Sequence, residues 1–135
     1  MPTTTAAQQR ETERAEFDAY FADCPSRKIL ERISDKWVTL IICALGDSAE
    51  PLRFSRLQRR IAGVSQKMLT QTLRNLEADG IVTREVTPTV PVTVTYELTP
   101  LGQSLLGAIQ PLKAWADHHI REVEKARALH KVEVR

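Results

Sequence analysis

Cysteine is scarce in this chain of 135 residues. Cys24 and Cys43 are the only two, too far apart for a CxxC pair and too few for a disulfide scaffold. Aromatic residues make up only 5%, so the interior has to be built from aliphatic side chains. The longest apolar run, residues 38–45, is interrupted by Thr39 and falls far short of the ~20 residues a bilayer span needs. The opening "MPTTTAAQQR" lacks the apolar segment that directs export. These absences point to a cytoplasmic protein without membrane partners. Catalytic signatures are missing as well: there is no Gly-rich phosphate loop, no paired-acid site and no cysteine–histidine pair in a catalytic setting. The spacing of His118, His119 and His130 fits no metal motif. The chain is therefore read as a non-enzyme with no catalytic residues, no metal site and no cofactor. A thiol peroxidase using Cys24 is the rival enzyme reading, and no resolving cysteine marks it.

What is present suits one domain: 42% hydrophobic residues for a core and 27% charged residues for a wetted surface. The formal net charge is only +2, but it is unevenly placed. Residues 51–75 carry six basic side chains (Arg53, Arg56, Arg59, Arg60, Lys67 and Arg74) and no acid, whereas residues 1–23 carry two basic side chains against five acids. An acid-free basic block within a near-neutral chain is an anion-facing surface.

Residues 1–10 are small, polar and aperiodic, the composition of a disordered terminus. Over residues 11–22, Phe17, Tyr20 and Phe21 fall at helical spacing. "PSRKILERIS" follows, with Pro25 suited to a first helical position and Ile29, Leu30 and Ile33 expected to face inward. In "SDKWVTLIICALGD", Ser34 or Asp35 is expected to cap a helix whose core stripe is Trp37, Val38, Ile41, Ile42 and Leu45, with Gly46 as its stop. Cys43, beside two isoleucines, is expected to be a buried, inert core residue.

The most informative stretch is "LRFSRLQRRIAGVSQKMLTQTLRNLEADGI". It predicts a short helix over about residues 54–61, a turn "AGV", and a second helix capped by Ser65 and running to about Asp79. Leu69, Leu73 and Leu76 share one face of that helix, Lys67, Thr70, Gln71 and Arg74 the opposite face, and Gln66 lies at the rim. Two helices joined by a short Gly-containing turn form a helix-turn-helix pattern, whose second helix enters the major groove of DNA. Gln bonds adenine bidentately, Arg or Lys guanine, and the Thr methyl touches thymine. Arg53, Arg56, Arg59 and Arg60 are expected to flank the groove and hold phosphates. The candidate DNA-binding residues are therefore Ser65, Gln66, Lys67, Thr70, Gln71 and Arg74, with those four arginines.

Gly80 ends the helix, and "IVTREVTPTVPVTVTYELT" changes to a period of two, predicting a β-hairpin with its tip at "TPTVP". A hairpin directly after a recognition helix is a wing. Thr99 then caps a last helix with a stripe of Leu101, Leu105, Ile109 and Leu112, Leu106 at its edge, and Trp115 and His119 near the same side. Pro111 is expected to kink it near Gly107. The predicted class is mainly α with a small β-hairpin wing (α+β). The segments are a disordered 1–10, a winged helix-turn-helix domain with dimerisation helices over 11–120, and a charged helical extension over 121–135.

"CPSRKILERISDKWVTLIICAL", "LRFSRLQRRIAGVSQKMLTQTLRNLEADGIVTRE" and "VTYELTPLGQSLL" resemble the HxlR-type family of MarR-like bacterial winged-helix regulators, over roughly residues 24–115. The resemblance implies a homodimer built from N- and C-terminal helices, a recognition helix at residues 65–79, and regulation of genes through palindromic operators in double-stranded DNA. The apolar faces accord with it: Phe17, Tyr20 and Phe21 at one end, and Leu105, Ile109, Leu112 and Trp115 at the other, exceed what a small winged domain covers alone. The family's wing commonly reads like "VPPRVEY", whereas this chain reads "VPVTVTY" with Val92, Thr93 and Thr95, so its tip lacks the usual cation.

The resemblance also implies a role for Cys24, since a subset of such proteins senses quinones, aldehydes or hypochlorite through a cysteine at that position. A thiolate is favoured near a helix N-terminus and near cations such as Arg27 and Lys28, while Asp23 opposes it. An electrophile or oxidant is thus the expected effector of a repressor. Three alternatives stay open: "CP" as a structural start signal, a non-covalent ligand at the dimer interface, and a winged module that binds protein rather than DNA.

Overall fold

The computed structural model describes residues 3–22 and 25–134. Cys24 lies outside them, and the side chains of Tyr20 and Phe21 are likewise outside those described. The chain divides into two compact units, Met1–Lys36 and Trp37–Arg135.

The first unit holds helices α1 (Ala6–Ala22) and α2 (Pro25–Ile33). Residues 6–10, expected to be disordered, are helical. The cause is a reciprocal cap: the Gln8 backbone N–H donates to Thr5 Oγ1 at 3.1 Å, and the Thr5 N–H donates to Gln8 Oε1 at 2.9 Å. In α2, Pro25 is the first residue as expected, but Ile29 and Leu30 do not face inward; both are exposed.

The second unit is a winged helix-turn-helix. Its elements are α3 (Lys36–Asp47), β1 (Leu52–Arg53), α4 (Phe54–Arg60), α5 (Gln66–Ala78), β2 (Val82–Thr87), β3 (Thr93–Leu98) and α6 (Pro100–Val134). Val38, Ile41, Ile42 and Leu45 of α3 meet Leu57, Leu69, Leu73, Leu76 and Val82 in an aliphatic core. Ile41, Ile42, Leu57 and Leu69 are wholly inaccessible. Truncating any of these to Ala costs about 2–5 kcal/mol.

Three expectations for α3 fail. Trp37, expected in the core stripe, is only half-buried. Gly46 lies inside the helix rather than past its end, and its missing side chain makes room for Leu106 of α6, into which a Cβ would run. Cys43 is half-buried rather than in the core. At 3.6 residues per turn it stands about 150° round the helix from the middle of the buried stripe. It lines a depression together with Arg60, Leu106 and Lys113.

The sheet has three strands in the order β1-β3-β2, all antiparallel. The hairpin was legible in the sequence; β1, which sets Leu52 opposite Tyr96 and Arg53 opposite Thr95, was not. Helix α6 begins at a Thr99 cap, where the Gly102 N–H donates to Thr99 Oγ1 at 3.0 Å. It stays helical across Pro111, whose ring leaves the Gly107 carbonyl without its usual donor. Its buried residues are Gly102, Leu106 and Ile109; Leu105 is half-buried, and Leu101, expected to lead the stripe, is exposed. Leu112 and Trp115 are 66% and 55% exposed, followed by exposed Ile120 and Val123. His119 stacks on Trp115 with centroids 4.8 Å apart. No described helix is long and apolar enough to cross a membrane.

Candidate nucleic-acid interface

Ser65 starts the candidate reading helix. It has extended backbone geometry, and its side chain accepts a hydrogen bond from the Met68 N–H at 3.1 Å. That cap lets α5 begin sharply after the turn, where Gly63 has φ +82°, a conformation suited to glycine. Leu69, Thr72, Leu73 and Leu76 are buried, and the Thr72 hydroxyl is satisfied by the Met68 carbonyl at 2.7 Å. With that face in the core, the opposite one must face solvent.

That outer face carries the residues read from the sequence. Gln66, Lys67, Thr70, Gln71 and Arg74 line one shallow groove with Asn75, about 740 Å³ in volume. Gln66, Lys67, Gln71 and Arg74 are exposed. Thr70 is half-buried, and its hydroxyl is held by the Gln66 carbonyl at 2.7 Å, which leaves its methyl group as the available surface. The groove thus offers amide, ammonium, guanidinium and methyl groups with no acid among them, the side-chain types that read base edges.

The four flanking arginines do not form one set. Arg53, Arg56 and Arg59 are exposed and line a second depression, of about 610 Å³, formed with residues 48–52 and Ser55. Arg60 turns away: its Nη1 donates to the Ala44 carbonyl at 3.4 Å, and it lines the depression beside Cys43. Arg60 is therefore tied to α3, a contact between residues 16 positions apart that no local pattern signals.

The wing adds a residue that the sequence reading passed over. Arg84 of β2 lies directly opposite Tyr96 of β3, on the same strand face as Val82 and Val86. It lines a concavity of about 370 Å³ together with Phe54, Thr70, Arg74, Glu77 and Tyr96. The period of two in "VTREV" was the available signal, because it puts Arg84 on the face of two valines. At the tip, Val90 and Val92 are exposed, and the Thr89 hydroxyl lies 2.9 Å from the Thr93 hydroxyl. The tip carries no cation.

Of the proposed dimer residues, Phe17, Leu112 and Trp115 are exposed, while Ile109 is buried within its own chain. Among the described residues, no group of three or more His, Cys, Asp and Glu could hold a metal ion.

Comparison with known proteins accords with this geometry. Residues 32–124 match the model of the HxlR-like helix-turn-helix family. The HTH-type transcriptional regulator YtfH of Escherichia coli is 41% identical over 108 residues, covering 80% of this chain and 84% of that protein. Among solved structures, the putative transcriptional regulator YtfH of Salmonella typhimurium superposes with a TM-score of 0.72 at 40% identity, covering 79% of this chain and 94% of the other. The redox regulator HypR in its oxidised form gives a TM-score of 0.64 at 38% identity, covering 70% and 96%.

Proposed function

The chain belongs to the HxlR-like helix-turn-helix family of transcriptional regulators, and from that premise we propose that it represses genes by binding a palindromic operator as a homodimer and is released by oxidants or electrophiles acting at Cys24. The observation that carries the DNA-binding part is the outer face of α5, where Gln66, Lys67, Gln71 and Arg74 line a groove without an acid, while Arg53, Arg56 and Arg59 are exposed in a separate depression. The first residues of α5 meet base edges, and the arginines meet phosphates.

Dimerisation is supported by the exposed apolar groups of α6. Leu112, Trp115, Ile120 and Val123 are more hydrophobic surface than a small solvated helix normally leaves open. A two-fold pair would set two α5 helices about 34 Å apart, one turn of DNA.

The regulatory part rests on sequence position and on relatives. Cys24 directly precedes Pro25, the first residue of α2, and HypR, a redox regulator, is similar to this chain. One expected support is weaker than the sequence suggested: Arg27 Nε pairs with Glu31 at 3.2 Å, so its charge is partly committed within α2. Lys28, four positions from Cys24, makes no ion pair among the described residues. Modification would take the form of alkylation by a quinone or of a disulfide to a second subunit or a small thiol. The test compares wild type with Cys24→Ser on operator DNA in the presence of a quinone and of hypochlorite. Wild type should release the DNA and the variant should hold it; equal release by both would remove Cys24 from the mechanism.

A further inference from the structure

We infer that the concavity between α5 and the wing is a seat for a DNA phosphodiester, with Arg74 and Arg84 as its two cations. This rests on the DNA-binding reading above and adds to it a site at the root of the wing.

Three observations converge. Arg74, from the recognition helix, and Arg84, from the inner face of β2, line the same concavity of about 370 Å³. Both are exposed, and neither has an ion-pair partner among the described residues, although Glu77 lines the same space. Two guanidiniums lining one small concavity, neither ion-paired with the single carboxylate on its wall, leave a net positive charge that favours an anion between them. Tyr96, opposite Arg84 in the hairpin register, is half-buried on the same wall, and its hydroxyl is an uncommitted donor within the described chain.

Position argues for the DNA backbone rather than a base. Arg74 stands eight residues after Gln66, about 12 Å along the helix axis from the end that meets base edges. It also lies where the α5 groove adjoins the wing, since Thr70 and Arg74 line both depressions. The duplex would leave the reading end of α5 with one strand passing between α5 and β2. Arg74, read from the sequence as a base contact, thereby becomes a phosphate contact. The wing engages DNA through its root, and the missing cation at the tip matters less. Glu77 opposes the phosphate and limits the affinity of the seat.

The test uses the full chain and two fluorescein-labelled duplexes, one of mixed random sequence and one selected by this protein from a randomised library. Arg74→Gln and Arg84→Gln should each weaken both duplexes by the same factor, at least roughly tenfold, and reduce the slope of log affinity against log salt by about 2, one contact from each subunit of the dimer. Arg84→Lys should keep the slope, and Glu77→Gln, at an exposed helix position, should tighten both duplexes. Gln71→Ala should weaken only the selected duplex. Arg84→Gln with wild-type affinity and slope, or with a loss confined to the selected duplex, would overturn the seat while leaving DNA binding intact. Glu77→Gln with unchanged or weaker affinity would count against it even if Arg84→Gln failed to fold. Wild type that binds neither duplex would remove the DNA reading and the seat together.

Discussion

The Thr99 hydroxyl lies 2.6 Å from the Gly80 carbonyl oxygen and accepts a hydrogen bond from the Gly102 N–H, so a single side chain ties the start of α6 to the end of the recognition helix. The Thr99 N–H also donates to the Ile81 carbonyl at 3.0 Å. These bonds join the start of α6 to Gly80 and Ile81, directly after α5. Thr99→Val keeps the shape and the backbone bond to Ile81 but removes the hydroxyl's bonds to Gly80 and Gly102. It should lower stability by about 1–2 kcal/mol in urea denaturation and leave the fold intact by circular dichroism.

Glycines 102 and 107, five residues apart on α6, should respond in opposite directions. A Cβ on buried Gly102 would collide with the Ile81 carbonyl oxygen, a backbone atom that cannot move aside. Gly107 has nothing within 4 Å of that position and is exposed. Gly102→Ala should destabilise by at least about 1–3 kcal/mol, whereas Gly107→Ala should stabilise by up to about 1 kcal/mol. Thermal melts of the two variants side by side check the pair.

Ser65→Ala removes the cap of α5 without touching the core. The expected loss is about 1 kcal/mol, together with fraying of the turn that carries Gln66 and Lys67. Affinity for a selected duplex should fall more than affinity for a random one, measured by fluorescence anisotropy. Equal losses on both duplexes would place the first turn of α5 away from the bases.

Trp115→Arg with Leu112→Glu puts charge into the exposed apolar stripe of α6. Sedimentation should show the wild type as a dimer and the double variant as a monomer, with operator affinity lost because one reading helix alone spans a single half-site. A variant that remains dimeric would move the seam elsewhere.

The legible parts of the fold were those where local pattern and tertiary packing agree. Helix α5 is one: its Leu69–Leu73–Leu76 stripe, Ser65 cap and polar outer face all follow from spacing, and the structure repeats them. Strand β1 was invisible because two residues display no period; only pairing with β3 defines it. The α6 stripe was misjudged because apolar residues at 101, 105, 106, 109 and 112 allow more than one buried face. The approach of Gly46 to Leu106 selects the face that holds Leu106 and Ile109. Arg60 and Arg84 depend on partners distant in sequence, Ala44 and Tyr96, and no local rule pairs them. The Thr5–Gln8 cap was readable in principle, but the polar composition around it obscured it.

The most direct test of the central reading is the salt dependence of binding by the full chain to a duplex selected from a randomised library. With the basic faces of two subunits on the phosphates, log affinity should fall linearly with log salt, with a slope steeper than about −4. Gln71→Ala should lower affinity without changing that slope. Binding that scarcely responds to salt, or a selection that enriches no sequence, would contradict a DNA-reading role for α5.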